Sequence, residues 1–264
     1  MARFQVVSRK QYADKRLKKA ANLFFARQDN VLHIGATELP KVMMYSPIAF
    51  LTTDGSQMPV ALQGLVTGQN LFVAGDGRWL GGYVPAMYLC YPFRLARVEN
   101  NELVLCVDED SGLITEASSG EGELFFDEDQ KPTAIITGVV NNLNQIEQDI
   151  QNTRAMCAIL QKYELFEPWP IQIQSGDDVQ NMEGLSRINE VRLNALPGEA
   201  LVELCTTQAL KVAYCQLFSM NNLQQLGKLA FAHAQSPKSK ISQAGGSIDF
   251  GMLEDTGSIS FDNL

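Results

Sequence analysis

The chain has 264 residues, 45% apolar and 19% charged, with 21 Lys and Arg against 30 Asp and Glu for a net charge of −9. That length admits one large domain or two small ones, and the composition supports a real core rather than a solvated disordered chain. The acidic balance argues against general nucleic-acid binding, which needs a basic face.

The first 28 residues reverse that balance. They hold Arg3, Arg9, Lys10, Lys15, Arg16, Lys18, Lys19 and Arg27 against Asp14 alone. Such a segment reads either as a solvated, partly frayed arm or as one that docks on the acidic body or on an anionic partner. No apolar run follows the basic residues, so no signal peptide is expected. No stretch approaches the ~20 apolar residues of a membrane helix, so no membrane insertion is expected. The expected location is the cytoplasm, with the cell surface by an unrecognised route as the alternative.

From about 31 to 140 the pattern is β-rich. Residues 47–53 predict a strand, Asp54-Gly55 is a hairpin signal, and residues 58–66 return. Residues 70–74 follow as the third strand of a meander. Residues 83–90 predict a short helix with Pro85 in its first turn. Residues 93–98 and 102–107 flank Asn100-Asn101 as a second hairpin. The acidic, Gly- and Ser-containing segment 111–131 reads as a loop.

After 140 the period changes from 2 to 3.6. Leu143, Ile146, Ile150, Thr153, Cys157, Leu160 and Tyr163 mark one face of a long helix over about 138–165, stopped by Pro168 and Pro170. Glu167-Pro-Trp-Pro170 reads as a rigid linker. Residues 171–188 predict another hairpin, turning at 175–178. Helices follow from Asn189-Glu190 to Leu196, over 199–219 and over 221–234. Their apolar faces include Leu204, Leu210, Ala213, Tyr214, Leu217, Leu223 and Leu226. The fold class is therefore α+β: a β-rich N-terminal half with antiparallel meander and hairpins, a helical C-terminal part, and a flexible tail. The expected organisation is a β-rich region over 1–140, a mainly helical region with one hairpin over 141–235, packed on the first as one unit, and a tail over 236–264.

The usual catalytic and metal motifs do not occur. The five cysteines are odd in number and lack C-x-x-C spacing, so neither a disulfide framework nor a zinc knuckle is suggested. His33 and His233 form no metal-binding or triad spacing, and there is no G-x-S-x-G elbow or phosphate-cradling glycine loop. No cofactor and no metal are expected.

Two features remain. Trp79, Tyr83 and Tyr91 with Arg94 read either as packed core and surface residues or as the lining of a pocket for sugars, carboxylates or flat rings. Asp108 and Asp110 would share one strand face, where paired carboxylates can hold a cation or divide acid and base roles; the plainer reading is a strand end turning into solvent. The six are the ligand-binding candidates. No residue is assigned as catalytic, and an enzyme is not the favoured reading.

At these residues the chain resembles the SapC-like family of bacterial proteins. The matching blocks include Tyr45-Ser-Pro-Ile-Ala-Phe50, Pro59-Val-Ala-Leu62, Gly81-Gly-Tyr-Val-Pro-Ala86, Tyr91-Pro-Phe93, residues 105–111 and residues 183–190. The family takes its name from a bacterial surface layer; the peptide-transporter permease of the same name is excluded by the lack of membrane spans. The resemblance implies an accessory protein that binds a small molecule or an unknown protein partner, linked to nutrient uptake or surface-layer systems, and possible as a homo-oligomer. It carries no catalytic residue. The alternatives are a histidine-independent enzyme using an Arg/Tyr/Asp pocket, and a surface-layer structural protein.

Overall fold

A computed structural model describes residues 3–99, 102–175 and 178–235; the tail 236–264 and the Asn100-Asn101 turn lie outside the described residues. The fold is α+β, with antiparallel sheets through the N-terminal half and a mainly helical C-terminal part. In chain order the elements begin with β1 (Phe4–Val6), α1 (Arg9–Tyr12), β2 (Lys15–Leu17), β3 (Val31–His33), α2 (Leu39–Val42), β4 (Ile48–Thr53) and β5 (Ser56–Leu62). There follow α3 (Ala86–Leu89), β6 (Phe93–Arg97), β7 (Leu103–Asp108), β8 (Ile114–Glu116), β9 (Glu123–Leu124) and the long α4 (Ala134–Lys162). Last come β10 (Phe166–Pro168), β11 (Ile171–Ser175), β12 (Asp178–Met182), β13 (Leu185–Ile188), α5 (Glu190–Asn194), α6 (Gly198–Thr206), α7 (Ala209–Ser219) and α8 (Leu223–Gln235). Among the described residues no helix is long and apolar enough to cross a membrane.

The chain forms two compact units, each built from two stretches. The first takes the N-terminus to Phe25 together with Val84–Asp149, and the second takes Ala26–Tyr83 together with the described chain from Ile150.

In the first unit the basic N-terminal segment is ordered structure, not a frayed arm. β1 pairs antiparallel with β7, setting Phe4 opposite Asp108 and Val6 opposite Cys106. β2 is the central strand between β8 and β9, which corrects the reading of 111–131 as a loop. These strands are two or three residues long, too short to announce themselves by periodicity. Opposite charges help to select the register: Lys15 pairs with Glu116, Lys18 with Glu121, and Arg3 Nη2 lies 2.9 Å from Glu109 Oε2. Exposed pairs of this kind add little by themselves. The stronger anchor is Tyr12, fully buried and stacked on Phe125 at 5.2 Å; burying an aromatic ring is worth about 2–3 kcal/mol. Phe93, Val107, Phe126, Ile136 and Leu143 complete this core.

The second unit holds a five-stranded antiparallel sheet, ordered β10-β13-β4-β5-β3, and the separate β11–β12 hairpin. Asp54 and Gly55 both take positive φ at the β4–β5 turn, as in a type I′ turn, at the place where the sequence signals a hairpin. Both sheet faces are covered, because alternate residues enter different apolar clusters. Ile48, Phe50 and Ala61 join Leu160, Leu204 and Val212. Ala49, Val60 and Leu62 join Leu71, Phe72, Trp169 and Leu226. Trp169 is thus a core residue and Glu167-Pro168 belongs to β10, so the expected linker is part of the sheet unit.

Three further expectations change. Residues 70–74 form a turn, not a strand. The buried Asn70 side chain donates to Ala26 O and Gln63 Oε1, both at 3.0 Å, and accepts from Phe72 N–H, so side-chain bonds replace a ladder. The long helix starts at Ala134 and ends before the prolines, where Glu164 takes positive φ and Leu165 N–H donates to Leu160 O at 3.1 Å. The helix predicted over 199–219 breaks at Gln208, also at positive φ. Tyr214, expected on its buried face, is half-exposed and stacks on the exposed Phe218. The buried Gln216 faces inward instead, accepting from Ile188 N–H at 2.9 Å and donating to Ile48 O at 3.2 Å.

Candidate functional site

Residues 79–83 form a bound turn in the second unit. Trp79 stacks on Phe72 with ring centroids 5.2 Å apart, and Leu80 N–H donates to Phe72 O at 2.8 Å. The Trp79 indole N–H then donates to Tyr83 O at 2.8 Å, closing the loop around Gly81-Gly82. Both glycines are dictated by close approach. A Cβ at Gly81 would stand 2.7 Å from Trp79 Nε1, and one at Gly82 would stand 2.3 Å from Tyr45 Cε1. Tyr83 anchors the far side: its hydroxyl donates to Glu38 Oε1 at 2.7 Å, and Lys41 Nζ lies 5.4 Å from its ring centre. Burial first, and the Glu38 carboxylate second, push the Tyr83 phenol well above its ordinary value.

This turn forms one wall of an open cleft of about 370 Å³. Leu80, Gly81, Gly82, Met44 and Tyr45 make that wall. The turn before α8 and its first two helical turns add Asn221, Asn222, Gln224, Gln225 and Lys228 to the lining. Asn222 joins the two sides, donating from Nδ2 to Met43 O at 2.6 Å. Tyr45 and Leu80 are respectively 42% and 44% exposed, so the cleft presents an aromatic ring and an aliphatic side chain to whatever enters. Sequence reading missed the lining except through Tyr45 and Gly81-Gly82, which stand in the matched family blocks. The carboxamides lie about 180 residues beyond Tyr45 and about 140 beyond Gly81-Gly82, outside any local motif.

The other four candidates lie in the first unit, where they bind the N-terminal segment to its sheet. Tyr91 stacks on Phe25 at 3.8 Å with planes 5° apart. Burial chiefly, then the charge of Asp108 and a hydrogen bond to it, raise the Tyr91 phenol. Asp108 is buried, and its Oδ1 accepts from Arg3 N–H at 3.2 Å and from Asp110 N–H at 3.1 Å. The expected shared face of Asp108 and Asp110 does not form. β7 ends at Asp108, whose side chain caps a 3₁₀ turn over Glu109–Ser111, so the two carboxylates are not strand neighbours. Glu109 is enclosed by Arg3, Gln11 and Tyr12. The exposed Arg94 lays its guanidinium 3.5 Å from the centre of the Phe4 ring.

Trp79 and Tyr83 are thus joined to each other in one unit, and Tyr91, Asp108, Asp110 and Arg94 cluster around β1 and β7 in the other. His33 ends β3, and His233 sits in the last turn of α8 with Nε2 2.9 Å from Leu71 O. Among the described residues no group of three or more His, Cys, Asp and Glu is arranged to hold a metal ion.

Comparison with known proteins gives one match. The family model described as SapC matches residues 7–226, a span that includes the Gly81-Gly82 turn, β7 and most of the cleft, and that begins just after β1. No curated protein and no solved structure matches the chain. The chain belongs to the SapC family.

Proposed function

We propose that this protein is a non-catalytic accessory protein that binds a small ligand, or a short segment of a partner, in the Tyr45 cleft. One observation carries the reading: Gly82, where a Cβ would stand 2.3 Å from Tyr45 Cε1, seats a half-exposed tyrosine ring at a cleft of ligand size. Of the six candidates read from the sequence, Trp79 and Tyr83 shape this wall from behind. Tyr91, Arg94, Asp108 and Asp110 are engaged in ordering the N-terminal segment.

The enzyme reading is weaker on chemical grounds. A general acid or base works best with a pKa near the operating pH. The phenols of Tyr83 and Tyr91 are pushed upward, away from it, by burial and by the carboxylates that accept from them. An accessory role in nutrient uptake fits a binding protein of this kind. A surface-layer lattice would require the protein at the cell surface, which fractionation decides.

The test is native mass spectrometry of the chain isolated gently from its own host, beside the Tyr45→Ala variant. A bound small molecule or partner on the wild type that is reduced on the variant is the expected result. Wild-type protein that carries nothing, or cargo indifferent to Tyr45, overturns it.

A further inference from the structure

We propose that the Tyr45 cleft takes a neutral saccharide, with one sugar face laid on the Tyr45 ring and its hydroxyls held by Asn221, Gln224 and Gln225. This deepens, and rests on, the binding reading above.

The lining selects the class by what it offers. Tyr45 gives a half-exposed aromatic face, whose electron-rich surface suits the polarised C–H groups on the flat side of a pyranose. The same cleft is lined by side chains ending in carboxamides, each able both to donate and to accept. A sugar hydroxyl also does both, so amides match it without a net charge on either side. Asn221, Gln224 and Gln225 are exposed, and no intramolecular partner occupies their amides among the described residues. Asn222 is the exception, committed to Met43 O, and serves as a brace.

Other classes fit less well. Among the described residues Lys228 is the one charged side chain of the lining, against the several cations or the glycine-rich loop that a phosphate ligand recruits. Among the described residues the lining holds no carboxylate, histidine or cysteine to hold a cation. A wholly apolar ligand would cover the amides and leave them unpaired. The volume of about 370 Å³ lies at the low end of the roughly 300–1,000 Å³ usual for small-molecule sites, the size of one or two sugar rings.

The test is saturation-transfer NMR on the full chain with separate probes: glucose, galactose, maltose and cellobiose, beside triglycine, inorganic phosphate and hexanoate. At least one saccharide is expected to bind. Tyr45→Phe keeps the ring and should keep binding, whereas Tyr45→Ala should weaken it by roughly tenfold. Gln225→Ala, at an exposed position that leaves the core intact, should weaken it by roughly fivefold. Saccharide binding that ignores both Tyr45→Ala and Gln225→Ala overturns the site. No saccharide signal overturns the proposal. Tyr45-dependent binding of triglycine, phosphate or hexanoate in that case leaves the cleft as a binding site of another class, and silence from these probes as well removes support from both readings.

Discussion

Tyr45 lies so close to Gly82 that a Cβ at position 82 would stand 2.3 Å from its Cε1 and 2.4 Å from its Cζ. Gly82→Ala must therefore displace the ring or the turn. Overpacking of this kind costs about 1–3 kcal/mol. In a Tyr45→Ala background the obstacle is gone and most of that cost should vanish. Urea denaturation of the four proteins of the cycle measures the coupling; equal costs in both backgrounds would show that the two residues do not oppose each other.

Asp108 connects the N-terminal strand to a turn more than a hundred residues away through one carboxylate oxygen. Asp108→Ala leaves two backbone N–H groups without this acceptor and should cost about 1–3 kcal/mol. Asp108→Asn keeps an acceptor at the same place and should cost less. Amide exchange at Arg3 and Asp110 should quicken in the alanine variant. A stability within about 0.5 kcal/mol of wild type would remove Asp108 from its role as a clasp.

Tyr12, Tyr83 and Tyr91 are all raised above the ordinary phenol value of 10.0, with burial the first cause in each. Below that value the phenols are neutral in both folded and unfolded chains, and their contribution is fully present. Above it the unfolded chain ionises first, so stability falls as pH rises from about 10 toward the native values, by up to about 1.4 kcal/mol per pH unit for each phenol. Tyr12→Phe should flatten the slope. Urea unfolding between pH 8 and 12 tests this, and an unchanged slope would contradict it.

Cys90, Cys106, Cys157 and Cys215 are buried, whereas Cys205 is exposed. Burial pushes the Cys157 thiol up to about 12 and also raises Cys106 and Cys215. The thiolate is the reactive form. Native protein at pH 8 should thus show one fast thiol toward Ellman's reagent and five after denaturation. Cys205→Ser should abolish the fast phase; its persistence would mean that a buried thiol is reached.

Gln208 separates α6 from α7 at φ 62°, a conformation that costs a residue with a Cβ about 1 kcal/mol or more. Gln208→Gly should raise the melting temperature slightly, the gain being trimmed by the greater freedom of glycine in the unfolded chain. A fall would mean that the side chain contributes more than its backbone strain removes.

Elements whose signal is local were legible in the residues. Asp54-Gly55 specifies a tight turn, and the flanking apolar runs β4 and β5 are its strands. The β6–β7 pairing and the apolar face of α4 were equally plain. Asn189, predicted to open a helix, does so by accepting from Arg192 N–H at 2.8 Å. The candidate site was legible only in part. Tyr45, Trp79, Gly81, Gly82 and Tyr83 lay within or beside the matched blocks, but nothing local joined them to Asn221, Gln224 and Gln225.

The sequence by itself determined the α+β class, the family, the main hairpins and the long helix, because turn chemistry and apolar period act over a few neighbouring residues. Tertiary structure alone decided the rest. β1, β2, β8 and β9 are two or three residues each and become strands because a distant partner satisfies their backbone groups. Asn70 turned an expected strand into a turn because its side chain found acceptors at Ala26 and Gln63. The basic segment found acidic partners at Glu109, Glu116 and Glu121, and the cleft formed where Tyr45, Gly82 and the start of α8 converge. These outcomes depend on contacts between residues far apart in the chain, and no short pattern of residues encodes them.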